Sequence, residues 1–558
     1  MAGMRAARVL FLLLALVVGL SGASVPPDPV ACAHGTSDCT VSNSYGAFPD
    51  RTICRAANAT FPRTEQELVA AVAAAAKRKV KVATTYSHSF PKLACPGGRD
   101  GTIISTEKLN RTVSMDKGKK LLTVESGMLL RDLIKVAGDA GQSLPHSPYF
   151  YGVTIGGLLA TGAHGSSLGV ISQVTLELQH LFKRSVRFVT RDDSDMAEKL
   201  AVWGGLHEFG DVSWQPWLGK TIYREDDRVV EVSTPGNGLN GNLGLRAQPT
   251  AEIVIARAEA DWLQENGTDI DRCEAAWRAV VEAERLAFGF TNDGVSFTGY
   301  PVVGFQHRIQ ASGMCIDGEE DGLRSACPWD PRVRGDFVYE SAISVAMHKV
   351  PALVADNSLR QTLYSIIYGR AWSDMRRLRD LDPSAFCGMD AMGVLMRYVR
   401  ASSSAHLGKP EDSLDIELIY NRSYGDDGEP RAHADVYDEI EQMALRKYGG
   451  VPHWGKNRNF AFDGAIAKYP RAAESLEVKE RYDPDGIFSS EWSDQVLGIS
   501  GSPSVVRPGC AIEGLCVCSE DSHCAPEQGY FCRPGKVYTE ARVCRFQSGR
   551  HTGEIALL

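Results

Sequence analysis

Residues 154–169 read TIGGLLATGAHGSSLG, and the rest of the chain is interpreted outward from this stretch. Five of its sixteen residues are glycine and most of the others are small, so another group can approach its backbone closely. Backbone amides without bulky side chains can bind a phosphate or pyrophosphate. A loose surface loop is the alternative, but Ile155, Leu158 and Leu159 are typical of a buried helix or strand edge. The stretch therefore predicts a ligand-binding segment.

The composition limits the class of protein. A chain of 558 residues is long enough for two or three domains with a sizeable core. The 54 glycines, with 44% hydrophobic and 23% charged residues, favour a loop-rich α/β or α+β fold over a helical bundle. The net charge of −9 argues against a nucleic-acid partner, which would need a basic face. Small neutral or polar ligands are the expected partners.

The N-terminus has the pattern of a secretory signal peptide over residues 1–23. Arg5 and Arg8 precede an apolar run over residues 9–20, and small residues at 21–23 offer a cleavage site. The run is too short to span a bilayer, so we expect no stable membrane anchor. Fourteen cysteines fit an oxidising compartment. Together with glycosylation sequons, these features predict a glycoprotein secreted to the apoplast or a lumen; the sequons lie at Asn58, Asn110, Asn266 and Asn421.

Hydrophobic periodicity predicts a mixture of helices and strands. A capping box at residues 64–67 begins a helix that ends at Lys77 and Arg78, and a strand follows at 80–84. Residues 183–184 are interpreted as a solvated turn between two strands. Alternation at 392–399 and 414–420 predicts an antiparallel sheet in a second domain. The other predicted elements are strands at 103–113, 121–124, 174–181 and 185–189 and helices at 129–137, 250–290 and 435–448.

Two short segments outside the glycine-rich stretch carry chemically useful side chains. The strand at 80–84 leads to Tyr86-Ser87-His88-Ser89, at the strand end where α/β sheets bind ligands. A single histidine there is by default a hydrogen-bonded structural residue. Residues 453–456 read HWGK. Residues 450–456 match the spacing of a P-loop, but Asn457 follows instead of Ser or Thr, which excludes a P-loop. No metal site is predicted.

The segment IGGLLATGAHGSS resembles the pyrophosphate-binding segment of the vanillyl-alcohol-oxidase class of FAD proteins. Within that class the chain is most similar to the plant L-gulonolactone oxidase branch of the aldonolactone oxidoreductases, over residues 45–498. The resemblance implies an α+β fold: a two-part PCMH-type FAD-binding domain plus an α/β substrate, or cap, domain with an antiparallel sheet. It also implies FAD as cofactor and oxidation of L-gulono-1,4-lactone, or a related aldonolactone, at C2. The product would be of the ascorbate type, with molecular oxygen as acceptor.

The same resemblance implies roles for individual residues. His88 occupies the position of a histidine that carries the flavin covalently. His453 and Lys456 would lie beside the isoalloxazine ring. The family's Glu-X-Arg strand looks like Leu395-Met396-Arg397 here, so Arg397 can still bind the lactone, whereas leucine cannot accept a proton. His453 or His164 remains open as the base. The implied cofactor-binding residues are Tyr86, Ser87, His88, Ser89, Thr106, Ile155, Gly156, Gly157, Thr161, Gly162, His164, Gly165, Ser166, Val170 and Ile171.

One segment of the family pattern is missing. Several dozen residues normally separate GAHGSS from the Gly-Val-Ile-Ser segment, whereas here Leu168 runs directly into Gly169. The FAD-binding domain is therefore expected to be shortened, with unpaired strand edges. This keeps a second hypothesis open, namely a non-catalytic secreted glycoprotein or defective isoform that cannot retain FAD.

Cysteine spacing predicts disulfides in three places. Cys32, Cys39 and Cys54 lie in an irregular N-terminal segment, and Cys315 and Cys327 suit a local disulfide. Six further cysteines between residues 510 and 544 allow three disulfides in any of 15 pairings. The predicted organisation is a signal peptide (1–23), an N-terminal lead (24–60), an FAD-binding domain (61–189), a substrate domain (190–445), a return to the flavin site (446–498) and a disulfide-rich tail (499–558).

Overall fold

The computed structural model describes most of the chain after residue 27. The described residues are 28–43, 54–75, 78–87, 89–97, 99–161, 171–242, 245–265, 289–310, 323–333, 338–347, 370–386, 393–402, 405–409, 411–421 and 429–547, with single residues at 271, 275, 278, 315 and 335.

The first half of the chain forms small sheets flanked by helices. Its helices are α1 (Glu65–Ala75), α2 (Leu130–Asp139) and α3 (Ile155–Ala160). Its strands are β1 (Val30–His34), β2 (Ser37–Val41), β3 (Cys54–Thr60), β4 (Val80–Ala83), β5 (Thr102–Ser105), β6 (Thr112–Asp116), β7 (Leu121–Glu125), β8 (Gln142–Ser143), β9 (Gln173–Glu177) and β10 (Gln179–His180).

Helix α1 begins as its sequence predicts. The amide of Glu67 donates to the Thr64 hydroxyl over 3.1 Å, while the Glu67 carboxylate accepts from the amide of Arg63. The helix leads into β4, the edge strand of a five-stranded sheet ordered β1-β2-β3-β5-β4, in which β3, β5 and β4 run parallel. Strands β6, β7 and β9 form a separate antiparallel sheet, and β8 pairs with β10.

The predicted continuous strand over 103–113 is wrong. The chain instead leaves the five-stranded sheet after Ser105 and enters the three-stranded sheet at Thr112. Between them, a turn over residues 106–109 packs directly on Gly127, where an added Cβ would lie 1.9 Å from the carbonyl oxygen of Thr106. Two loops at strand ends are thereby held in backbone contact, and this contact leaves no room for a side chain.

The second half is organised around one large sheet. Its strands are β11 (Lys183–Asp192), β12 (Asp211–Gln215), β13 (Lys220–Val229), β14 (Leu239–Asn240), β15 (Gln248–Pro249), β16 (Phe290–Thr291), β17 (Val302–Phe305), β18 (Ser325–Ala326), β19 (Val338–Ala346), β20 (Val394–Val399), β21 (Ser413–Asn421), β22 (Val451–Pro452), β23 (Tyr530–Pro534) and β24 (Arg542–Phe546). The helices are α4 (Met196–Leu206), α5 (Thr250–Glu265), α6 (Gln306–Ile309), α7 (Ala434–Gln442), α8 (Ala472–Tyr482) and α9 (Glu491–Val496), and residues 370–381 are also helical. A π-helical turn at Met443–Lys447 extends α7, and 3₁₀ turns occupy Pro91–Ala94, Asp193–Asp195, Pro216–Leu218, Pro331–Val333, Pro383–Phe386, Asn459–Phe462, Ala465–Lys468, Asp521–His523 and Pro526–Gln528.

The eight-stranded sheet confirms the predicted antiparallel architecture. Its strand order is β17-β11-β13-β12-β20-β21-β19-β22, and every neighbouring pair is antiparallel. One face is apolar: Val212, Trp214, Met396 and Ile416 pack with residues of α4 and α7 in the largest core cluster. Because side chains alternate along each strand, the other face is left for polar residues.

The predicted solvated turn at residues 183–184 is also wrong. Lys183 and Arg184 are both buried at the start of β11, and the Arg184 guanidinium pairs with the carboxylate of Asp226 on β13. A buried charge requires such a partner, and the partner lies 42 residues away in the sequence. The predicted domain boundary at residue 189 consequently falls within β11.

The C-terminal part of the chain returns to the first half. The Asp483 carboxylate accepts from the amides of Ile487 and Phe488, and this turn pairs with β4 through the amide of Val80 and the carbonyl of Ile487. Beyond it, the tail contains the predicted three disulfides, and the local Cys315–Cys327 bridge is confirmed. The bridges of the described residues are Cys32–Cys39, Cys54–Cys95, Cys315–Cys327, Cys510–Cys516, Cys518–Cys532 and Cys524–Cys544.

Within the described ranges, no helix combines the length and apolar character needed to cross a membrane.

Candidate active site

Four charged side chains meet on the polar face of the eight-stranded sheet. Glu417 on β21 accepts from the guanidinium of Arg397 on β20 and, over 3.0 Å, from the ammonium of Lys456. Lys456, which follows β22, also donates to Glu340 on β19. The Glu417 carboxylate thus joins two cations, and Lys456 joins two carboxylates. We call Arg397, Glu417, Lys456 and Glu340 the charged cluster.

Strand register explains how the cluster assembles. Leu395 lies directly opposite Glu417, and residues directly opposite in an antiparallel pair project to the same face of the sheet. Arg397, two residues along β20, projects to that face as well and reaches Glu417 diagonally. Leu395 on β20 cannot supply a carboxylate, but Glu417 on the neighbouring strand β21 places one at the same position on this face of the sheet.

The charged cluster is largely buried, and its members shift one another's pKa values. The side chain of Glu417 is 6% exposed. Burial alone would raise the pKa of Glu417, but the charges of Arg397 and Lys456 outweigh burial and lower this pKa to about 2. Burial would lower the pKa of Lys456, yet Glu340 and Glu417 hold it above its usual value. Arg397, whose pKa is raised above its usual value chiefly by Glu417, is therefore charged near neutral pH, as are Glu417 and Lys456.

The HWGK turn brings three sequence motifs together. An added Cβ on Gly455 would lie 3.1 Å from the Cβ of Thr161 and 3.2 Å from the hydroxyl oxygen of Ser89, and that hydroxyl donates to the Gly455 carbonyl. Thr161 ends α3 in the glycine-rich stretch, and Ser89 ends the Tyr-Ser-His-Ser segment. The predicted cofactor-binding segments and the predicted catalytic segment are thus in direct contact.

His453 is neutral and its tautomer is fixed. Burial, and then the charge of Lys456, lower the pKa of His453 well below its usual value. Its Nδ1 accepts from the amide of Gly455 over 3.1 Å, so the proton lies on Nε2. His453 therefore offers a hydrogen-bond donor, and its accepting nitrogen is not free to take a substrate proton.

Asn457, the residue that excludes a P-loop, holds the turn. It has a left-handed backbone with φ of 69°, and its side-chain amide donates to the carbonyls of Ala342 and His453. Its amide oxygen accepts from the Ala342 amide. Asparagine tolerates this backbone conformation better than most residues, and its side chain here pairs with β19 as a peptide group would.

A second polar group extends the site toward β12. Tyr149, from a loop in the first half of the chain, donates to the Asp211 carboxylate over 2.5 Å, and its ring centroid lies 5.3 Å from the Arg397 guanidinium. Asp211 lies directly opposite Arg397 across the strand pair. Tyr149 therefore links the first half of the chain to the polar face of the sheet.

The glycine-rich helix differs from the predicted amide cup. The amide of Ile155 donates to Met128, that of Gly156 to Ser126, and that of Gly157 to the Thr154 hydroxyl. These amides are occupied. The glycines permit close packing instead, since an added Cβ on Gly156 would lie 2.9 Å from the Cβ of Ser126.

The described residues nevertheless fit FAD. The hydroxyl of Ser126 is buried beside Gly156, and it has no hydrogen-bond partner among the described residues, so a ligand oxygen could satisfy it. Ser87 and Thr106 lie beside the end of β4, where the Ser87 amide donates to the Thr84 carbonyl and the Thr106 amide donates to the Ala83 carbonyl. Tyr86 precedes Ser87, and Ile171 leads into β9. Ser89 and Thr161, from two of the predicted cofactor-binding segments, contact the HWGK turn, so these segments and the predicted catalytic segment meet at one place.

Six of the predicted cofactor-binding residues lie outside the described residues, as does the junction of Leu168 and Gly169. The six are His88, Gly162, His164, Gly165, Ser166 and Val170.

Sequence reasoning missed Glu417, Glu340, Tyr149 and Asp211. A signal existed for Glu417, because a charged residue at an alternating position of the apolar strand LDIELIY needs a buried partner. Its partners could not be identified, since strand pairing across tens of residues is not visible in the sequence.

Comparison with known proteins supports FAD as the cofactor and shows the family. Three family models match: an FAD binding domain over residues 56–183, D-arabinono-1,4-lactone oxidase over 393–496, and the C-terminal domain of L-gulonolactone oxidase 2-like proteins over 507–546. Solved cholesterol oxidases share the fold. One from Brevibacterium sterolicum has a TM-score of 0.56 at 12% identity, covering 86% of this chain and 100% of its own.

Curated relatives are far closer in sequence. Probable L-gulonolactone oxidase 1 of Arabidopsis thaliana is 45% identical over 576 residues, covering 93% of each chain. L-gulonolactone oxidase 2 of the same organism is 46% identical over 579 residues, covering 93% of this chain and 94% of its own. The chain therefore belongs to the L-gulonolactone oxidase family of FAD-dependent oxidoreductases.

Proposed function

We propose that this protein oxidises an aldonolactone, L-gulono-1,4-lactone or a close relative, at its C2 hydroxyl. The observation that carries the proposal is the charged cluster, which lies beside the segments expected to hold FAD. The names of the relatives and the match to the D-arabinono-1,4-lactone oxidase model support the substrate class.

The electron balance is simple. FAD, when bound, would supply the acceptor for the C2 hydrogen, which leaves as a hydride. The hydroxyl proton leaves to a base, and the resulting ketolactone enolises to an ascorbate-type product. Molecular oxygen takes the two electrons with two protons and leaves as hydrogen peroxide.

The chain's own residues orient the lactone and move the proton. Arg397 and Lys456 donate to the oxygens of the lactone, and the neutral His453 adds a donor at Nε2. Glu340 receives the hydroxyl proton, because it is the more exposed of the two cluster carboxylates, at 18% against 6%. Glu417 stays ionised and holds both cations in place.

The charge balance of the cluster favours a neutral substrate. Two cations face two carboxylates, so no net charge is available to attract the open-chain aldonate anion. We therefore expect the closed lactone to be the substrate.

The test is to purify the whole chain, measure its visible flavin absorbance, and follow hydrogen peroxide production with the lactone and with the matching aldonate. The expected result is a yellow protein active on the lactone alone. A yellow protein without lactone-dependent peroxide, or one that prefers the aldonate, would overturn the proposal.

We also propose that His88 carries the flavin covalently, on the family resemblance. After acid precipitation the wild-type protein should retain its colour, and the His88→Ala variant should lose it to the supernatant. A colourless wild-type pellet would show that the flavin is dissociable.

A second candidate is a scaffold that cannot retain FAD. One observation favours it: the alignments with relatives run over 576 residues, longer than the 558-residue chain, although only 93% of the chain takes part. The relatives thus carry residues that this chain lacks. A folded, colourless product would support this candidate.

We propose, finally, that the protein is secreted and glycosylated. The signal-like N-terminus supports this, as do the disulfides and the sequon at Asn110, whose side chain is exposed in the turn between β5 and β6. Glycosidase treatment of the secreted protein should increase its mobility on a gel, and the Asn110→Gln variant should show a smaller shift.

A further inference from the structure

The disulfide-rich tail is packed against the segment that carries Lys456. Gly514 lies in the loop closed by the Cys510–Cys516 bridge, and its carbonyl accepts from the amide of Phe460. An added Cβ on Gly514 would lie 2.3 Å from Cδ of Arg458, so the tail backbone lies directly on that side chain. The segment over residues 458–460 is therefore covered by the tail.

Arg458 is the central residue of this contact. Its side chain is 4% exposed, and it pairs with Asp438 over 2.5 Å and with Glu441, both on α7. The guanidinium also stacks 4.8 Å from the ring centroid of Tyr339, whose hydroxyl donates to Glu513 of the tail. Helix α7 and the tail thus enclose Arg458 from two sides.

A separate face of α7 holds the other end of the tail. Glu439 is fully buried and accepts from three successive amides, those of residues 536–538, over 2.6–2.7 Å. Gln442 exchanges two hydrogen bonds with the backbone of Arg542, and Asp435 pairs with Arg545. These three α7 residues follow helical spacing on one face, so the tail is fixed along the helix.

The path from the tail to the charged cluster is short. Arg458 follows Lys456 by two residues, and Asn457 between them is locked to β19. A side chain that contacts substrate must be held within a fraction of an ångström to act. We propose that the tail is a positioning element: through Arg458 it fixes the backbone from which Lys456 reaches Glu417 and Glu340. The proposal rests on the proposed function where it takes Lys456 to contact the substrate.

The test uses Gly514→Ala in the full-length chain. The added methyl group must displace Arg458, and the residue has a φ of +64°. The matched control is Gly529→Ala, which has similar backbone strain at +83° in the same tail, but whose nearest atom is in the ring of the exposed Phe546, at 3.0 Å, with the Gln547 carbonyl oxygen at an ordinary 3.4 Å. Two measurements are made on each variant: amide hydrogen exchange over residues 453–460, and kcat/KM for the lactone at equal flavin content.

We expect Gly514→Ala to speed exchange over 453–460 and to lower kcat/KM about tenfold, with Gly529→Ala unchanged in both. Unchanged exchange in Gly514→Ala would overturn the proposal. Faster exchange with unchanged kcat/KM would overturn the positioning role. If the wild-type protein has no lactone activity, the proposed function fails, and the exchange result still decides whether the tail holds this segment.

A second variant covers the case in which Gly514→Ala does not fold. Glu439→Gln puts an amide donor against the amides of residues 536–538 and should loosen the tail from α7. Faster exchange over 453–460 is again expected, and its absence would count against the proposal. Glu540→Gln, at an exposed tail position, is the control.

Discussion

At the scale of single residues, Glu417 is the link that makes the charged cluster one unit. Replacing it by glutamine keeps the shape but removes the charge between Arg397 and Lys456. Each charge-assisted hydrogen bond lost from a buried site costs about 1.5–3 kcal/mol, so kcat/KM for the lactone should fall about 10- to 100-fold.

Steady-state kinetics of Glu417→Gln at equal flavin content measures this loss. The control is Glu474→Gln, at a surface pair with Arg471, and it should match the wild type. Equal rates in Glu417→Gln would show that the cluster does not depend on this carboxylate.

The low pKa of Glu417 also predicts how stability depends on pH. Burial opposes ionisation, but Arg397 and Lys456 lower the folded-state pKa from 4.5 to about 2. A carboxyl group with a lowered pKa stabilises the folded state above its unfolded pKa, and this stabilisation is lost as the pH falls toward 2. The wild-type protein should therefore lose more stability than Glu417→Gln between pH 5 and pH 3, because the loss begins near the unfolded-state pKa of 4.5 and continues down to the folded-state pKa of about 2. Urea unfolding at both values tests this; parallel losses in the two proteins would contradict it.

At the scale of secondary structure, the start of β11 is held by a buried ion pair. Asp226 is fully buried between Arg184 and Arg224, whereas the next residue, Asp227, faces outward with a side chain 47% exposed. Removing one partner of a buried pair leaves an uncompensated charge, so Asp226→Asn should lower the free energy of unfolding by about 3 kcal/mol. Asp227→Asn, on the opposite face of the same strand, keeps an oxygen that can accept from the Glu208 amide and loses only a half-exposed pair with His207, so it should change the free energy of unfolding by less than about 1 kcal/mol. Similar losses in both variants would mean that β11 is not anchored by this pair.

The loops at the strand ends lead to a prediction about the cofactor. Gly127 has no room for a side chain, because the Thr106 carbonyl lies against its Cα. Gly127→Ala should force the two loops apart at a cost of about 1–3 kcal/mol and lower the flavin content of the purified protein. Gly118→Ala is the matched control, since its nearest neighbour is the Asp116 side chain at 3.5 Å in an exposed turn. Full flavin content in Gly127→Ala would show that FAD binding does not depend on the contact between Gly127 and Thr106.

Local chemistry made some elements predictable and left others hidden. The capping box of α1, the alternation in β20 and β21 and the cysteine spacing of the tail each act within a few residues, so the sequence alone identifies them. Arg184 was misassigned because its partner is on another strand, and a charged pair in isolation resembles a solvated turn. The candidate site divides in the same way. Sequence motifs identify Arg397, His453 and Lys456, whereas Glu417 is identified only by the pairing of β20 with β21.

At the scale of the whole molecule, the candidate active site depends on contacts between distant parts of the chain. The loop with Tyr149 comes from the first half, the charged strands from the second, and the HWGK turn rests on both through Ser89 and Gly455. The tail then packs behind Arg458. No segment of the described chain contains the site alone, so the geometry of the cluster is a property of the assembled fold.

The predicted shortening of the FAD-binding part, between Leu168 and Gly169, is a feature of the whole molecule that should affect cofactor retention. The relatives carry residues that this chain lacks, while the described loops, with the orphan hydroxyl of Ser126, are retained. A smaller contact area for the dinucleotide should weaken its non-covalent binding, because burial of ligand surface contributes to affinity.

Two chains should be compared in a His88→Ala background, which removes any covalent link: the chain as it stands, and one with a relative's residues inserted between Leu168 and Gly169. FAD should dissociate faster from the shorter chain, as measured by the loss of bound flavin after gel filtration, while the charged cluster gives both chains the same preference for lactone over aldonate. Equal dissociation rates would show that the missing residues do not contribute to retention, and a changed preference would place them at the substrate site instead.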